Sequence, residues 1–180
     1  MKSNIFKELL ESTDDMLSQL EDLISSLDQE SYRKPLAILN GASLGEHVRH
    51  SLEFFFAYLK ATRLGTVCYD RRDRDERIQT DPAFALDTVL SIREDLKTIA
   101  PERAAESVNV DVDWLDSDDS IPSTLSRELH YVQDHLLHHS ALIKVGLLHG
   151  LENPTAPQIR DMEKFGVAPS TLAYQAGSSN

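Results

Sequence analysis

The sequence predicts an all-α fold: a four-helix bundle with a long crossover before the fourth helix. Three observations carry this. Four long stretches place apolar residues at helical spacing. Strand-like alternation is confined to one short segment, ESVNVDVDW at 106–114. The connection between the third and fourth helical stretches is long enough to cross a bundle.

The first helix is expected over residues 3–27, where Ile5, Leu9, Leu10, Met16, Leu17, Leu20 and Leu23 mostly recur at helical spacing. Residues 31–41, with Pro35 and Gly41, read as a loop. Ser43 and Glu46 form a capping-box pattern, so the second helix begins just after Ser43; Gly65 is its natural C-cap. The densely charged segment GTVCYDRRDRDERIQTDP (65–82) lacks a clear period and reads as an ordered or semi-ordered loop. Asp81–Pro82 opens the third helix, an N-cap followed by proline at the first helical position, and Pro101 lies beyond its end.

In the segment 106–114, Val108, Val110 and Val112 alternate with Asn109, Asp111 and Asp113, a strand-like period of two. With DSDDSIPST after it, a small hairpin or an extended crossover is expected. Ser123 is then expected to cap the fourth helix, which ends at Gly150. A short fifth helix, PQIRDMEKFG (157–166), and a polar tail follow. The expected organisation is a bundle over 1–150, with 151–180 packed on it or trailing from it.

The chain has 180 residues and a formal net charge of -12. Such acidity argues against non-specific binding to nucleic acid or to an anionic membrane. The single cysteine, Cys68, excludes an intramolecular disulfide and reads as an inert thiol. The N-terminus lacks the apolar core and cleavage site of a signal peptide, and no run approaches the roughly 18 apolar residues of a membrane helix. The expected location is the cytoplasm.

Four of the seven histidines fall within residues 130–139. On a helix advancing about 100° per residue, His139 lies within the apolar face made by Leu125, Val132, Leu136 and Ile143. His135 flanks that face, His138 turns toward its edge and His130 points to solvent. His135 and His139, four apart, place two imidazoles on adjacent turns, as in helical zinc sites. A pair of core-edge histidines hydrogen-bonded to neighbours has the same spacing. A third ligand would come from the second helix, where His47 and His50 lie in GEHVRHSLEFFF. The helical wheel puts His47 nearer the core than His50.

The segments SLGEHVRHSLE and QDHLLHHSALI resemble the DinB/YfiT-like superfamily of metal-binding four-helix bundles, over roughly residues 1–150. The charged YDRRDRD and the late FGVAPST are similar to a Bacteroidetes-type subgroup. The resemblance implies a metal held by His50, His135 and His139, against the wheel's preference for His47. It also implies zinc or nickel, an open coordination position, and often a homodimer. Relatives of this kind include transferases and isomerases that use low-molecular-weight thiols.

Three neutral imidazoles leave a divalent cation its full charge and an open position, where water or a thiol is acidified. Thiol transfer and hydrolysis both follow from such a site, and the resemblance favours thiol transfer on a small molecule. A non-catalytic metal-binding or protein-interaction bundle is the alternative. Glu128, two turns before His135, is a candidate to orient an imidazole or act as a base; a helix-end cap, or an ion pair with Arg127 or another basic side chain, is its structural alternative. Phe54, Phe55, Phe56 and Tyr58 read as core rather than a substrate pocket. Arg71, Arg72, Arg74 and Arg77 alternate with acidic residues and read as internally paired. Their loop leaves the far end of the second helix from His50, so it reaches the metal only by folding back.

Overall fold

In the computed structural model, which describes residues 2–116, 119–152 and 163–178, the chain is mostly helical with one small sheet. The helices are α1 (Lys2–Ser26), α2 (Gln29–Arg33), α3 (Leu44–Leu64), α4 (Glu76–Thr80), α5 (Pro82–Lys97), α6 (Leu125–Gly150) and α7 (Pro169–Ser178). The strands are β1 (Thr66–Cys68), β2 (Ser107–Asp111) and β3 (Ile121–Thr124). The four long helices match the four periodic stretches. α1 and α3 each pack on both α5 and α6. Their apolar faces meet in one core, with Leu20, Phe55, Ile92 and Leu136 all fully buried.

Local chemistry sets the helix ends. The capping box forms as expected: Ser43 Oγ accepts from Glu46 N at 3.1 Å, and Glu46 Oε2 accepts from Ser43 N at 2.7 Å. Gly65 terminates α3 with φ 72°, a left-handed conformation that favours glycine. Asp81 caps α5 by accepting from Ala83 N and Phe84 N. At α6 the expectation needs correction. Thr124, not Ser123, is the N-cap, accepting from Arg127 N, while Ser123 Oγ donates to Glu128.

The mostly helical chain also carries a three-stranded sheet. The hairpin is present: β2 and β3 pair antiparallel, with Val108 opposite Ser123. The charged segment adds a strand that its sequence did not announce. β1 pairs parallel with β2, Thr66 opposite Asn109, in the order β1-β2-β3. The segment also contains α4. Three apolar residues, Val67, Tyr69 and Ile78, anchor it by burial, but they are too scattered among charges to produce a readable period. The loop expected over 31–41 likewise holds the end of α2 and a 3-10 turn at Ala37–Leu39. Buried Tyr32 donates from its hydroxyl to Ile78 O at 2.7 Å, tying α2 to α4.

Most of the expected fifth helix, 157–162, lies outside the described residues; 163–166 form a turn. Phe165 is buried there, and Lys144 on α6 donates to Glu163 O and Phe165 O, both at 3.2 Å. The region expected as a polar tail carries α7. Among the described residues, no helix is long and apolar enough to cross a membrane.

Candidate metal centre

The contact between α3 and α6 brings three imidazoles together. Leu136 and Ile143 hold one face of α6 in the core, and His139 lies on that face, only 7% exposed. His135 sits half-buried on its flank, and His50 comes from α3. One ring nitrogen from each of His50, His135 and His139 lies within 4.8 Å of the others. Ring centroids are 4.9 Å apart for His50–His135, 4.7 Å for His50–His139 and 4.6 Å for His135–His139. His130 is exposed, as its wheel position requires, and His138, expected toward the edge, is exposed too.

His47 joins the cluster through one partner. Its Nδ1 lies 2.9 Å from His139 Nδ1, with the ring centroids 5.1 Å apart. His50 contacts both α6 imidazoles, so the three-way convergence falls on His50 rather than on the wheel's preferred His47.

Burial holds these imidazoles neutral. It pushes His135 and His139 down to about 3, with neighbouring histidines adding to the effect. Burial and then Arg72 push His50 down to about 4. Burial also lowers His47. A neutral imidazole has one N–H and one in-plane lone pair. His135 Nε2 and His47 Nε2 are both buried without a hydrogen-bond partner among the described residues, which is costly unless something engages them. Neighbouring ligand atoms in a tetrahedral zinc site stand about 3.3 Å apart, from bonds of about 2.0 Å. Small side-chain adjustments bring three nitrogens within 4.8 Å to that spacing. The donor set therefore fits a borderline divalent cation.

The charged segment does fold back, and it brings a residue that sequence reasoning placed elsewhere. Arg72 Nη2 lies 2.8 Å from His50 Nδ1. Its Nε donates to Glu53 Oε2 at 3.0 Å and its Nη1 to Tyr69 O at 2.7 Å. Pairing of β1 with β2 redirects the chain after α3 and makes this reach possible. The available signal was Glu53 itself, an acid among the apolar residues of LEFFF and 1% exposed, which needs a cationic partner. Arg77 does pair within the segment, with Asp75 at 2.6 Å, but Arg71 reaches out to Asp113 at 2.8 Å.

Aromatic rings wall one side. Phe54 stacks on His135 at 3.7 Å between centroids, and Tyr69 stacks on Phe54 at 5.0 Å. Tyr131 stands 5.0 Å from Tyr69 and 6.4 Å from His135. Phe55 and Tyr58 are core, as expected, whereas Phe56 is 41% exposed.

Glu128 is buried but bonds no imidazole among the described residues. Tyr69 Oη donates to one carboxylate oxygen at 2.8 Å and Ser123 Oγ to the other at 2.6 Å. These two hydrogen bonds join α6 to β3 and to the segment after β1. Arg127 is not its partner; that guanidinium lies over the Tyr131 ring at 5.8 Å. No protein-family model, no curated protein and no solved structure matches the chain.

Proposed function

We propose that the chain is a divalent-metal-dependent enzyme of the DinB/YfiT-like four-helix-bundle type, a small-molecule thiol transferase or hydrolase. The convergence of His50, His135 and His139, all held neutral, carries this reading. The mutual packing of α1, α3, α5 and α6, with a long connection between α5 and α6, supports the bundle assignment.

Zinc or nickel at these three nitrogens would supply Lewis acidity at an open coordination position, available to water or a thiol. The chain's own residues do the rest. For His139 to offer Nε2 as a ligand atom, its proton would sit on Nδ1 and be donated to His47 Nδ1, 2.9 Å away. Phe54 packs flat on His135 and restricts its ring. Tyr69 and Tyr131 extend that wall away from the imidazoles. The partners that fit are a small electrophile and a low-molecular-weight thiol, with a homodimer as the assembly; nucleic acid and membrane have no part in it.

The test loads untagged protein with zinc or nickel and assays thiol conjugation to an electrophile and hydrolysis of an activated ester. Turnover in wild type that vanishes in folded His139→Ala is expected. A folded protein that stays metal-free in excess zinc and nickel overturns the reading.

A further inference from the structure

The bond between Arg72 and His50 bears directly on how the centre loads and on what it binds. A guanidinium has only N–H donors, so His50 Nδ1 must accept. Neutral His50 then carries its proton on Nε2 and has no second lone pair. A metal ligand needs that lone pair. If Nδ1 is the ligand atom, Arg72 occupies its electron pair. If Nε2 is the ligand atom, the proton must move to Nδ1, where it faces an Arg72 N–H. In both cases the Arg72–His50 bond and a metal at His50 exclude one another.

Releasing this bond does not release the arginine. Nε stays on Glu53 and Nη1 on the Tyr69 carbonyl, and the guanidinium lies 5.1 Å over the Phe54 ring. Only Nη2 loses its partner, while the rest of the guanidinium is held beside His50. The local charge favours an anion there. Glu53 faces two guanidiniums, Arg72 and also Arg49 at 3.4 Å. The three imidazoles are neutral, and a bound cation adds further positive charge. A fixed N–H donor beside a cation suits a carboxylate.

Building on the metal reading above, we propose that Arg72 competes with the metal for His50 and, once displaced, binds a carboxylate of the substrate or thiol beside the metal. Arg72 is thus a specificity-determining residue, and the preferred ligand is a small carboxylate-bearing molecule.

Two measurements test this. Zinc affinity is determined by chelator competition for wild type, Arg72→Gln and Arg72→Lys, with folding checked by circular dichroism. Both variants are expected to bind zinc about tenfold more tightly, the scale of one charge-assisted hydrogen bond. Tightening in Arg72→Gln alone would trace the effect to charge and overturn the competition. Next, 3-mercaptopropionate and its neutral analogue 3-mercapto-1-propanol are titrated into cobalt-loaded protein, read by the thiolate-to-cobalt absorption band. Wild type is expected to prefer the carboxylate by about tenfold, and Arg72→Gln to lose that preference. Equal binding of the two thiols by wild type overturns the carboxylate assignment. Failure to take up zinc or cobalt at all defeats the metal reading instead, so the two failures are distinct.

Discussion

His47 Nδ1 and His139 Nδ1 stand 2.9 Å apart, so one ring must donate and the other accept. With His139 offering Nε2 to a metal, His139 is the donor and His47 the acceptor. On the proposed metal reading, His47 orients a ligand rather than being one. His47→Ala should weaken zinc binding by about 10- to 100-fold, the usual effect of removing such support, while saturating zinc still gives one metal per chain. Chelator competition measures this. Complete loss of metal in His47→Ala would make His47 a ligand.

Glu128 satisfies two hydroxyls at once, from Tyr69 and Ser123. Glu128→Ala strands both near a buried carboxylate site and should lower stability by about 1–3 kcal/mol. Urea denaturation reads this, with metal content unchanged. A variant of normal stability that loses metal would restore the role beside His135 that the sequence suggested.

The metal-free protein should lose stability in mild acid. His135 and His139 titrate at about 3 and His50 at about 4 in the folded chain, against about 6.5 when unfolded. Between these values the unfolded chain binds protons that the folded chain does not. Stability contributed by the imidazoles is therefore intact above about pH 6.5 and falls as pH drops toward 3. The urea midpoint of metal-free protein should fall between about pH 7 and pH 5, and less steeply in His139→Gln. A midpoint constant over that range would contradict the burial of these rings.

At Gly45, α3 passes close to α4 and α2. A Cβ there would meet Gln79 O at 2.3 Å and Tyr32 Cε1 at 2.7 Å. Backbone cannot yield as a flexible side chain does, so Gly45→Ala should destabilise by about 1–3 kcal/mol. Thermal or urea unfolding checks this; wild-type stability would mean that α3 and α4 separate without penalty.

The helices were legible because their apolar residues recur over many turns. Ser43 and Gly65 were legible because capping depends on residues adjacent in sequence. His139 could be placed in the core by periodicity alone. The choice between His47 and His50 could not, since the wheel separates them only slightly, in favour of His47, and the outcome depends on how α3 meets α6. β1 was missed because three residues carry no period, and its pairing with β2 joins positions some forty residues apart. The placement of Arg72 follows from that pairing and was lost with it. Ser123 and Thr124 are neighbouring hydroxyl residues, so the sequence does not say which of them caps α6. Glu128 was placed beside His135 by helical geometry, but its partners come from other elements.

Metal content of untagged protein, measured by mass spectrometry for wild type, His50→Ala and His47→Ala, tests the central claim most directly. The account predicts about one metal per chain in wild type and in zinc-saturated His47→Ala, with loss in folded His50→Ala. Wild-type protein that remains metal-free in excess zinc and nickel, or His50→Ala that retains a full complement, would contradict it.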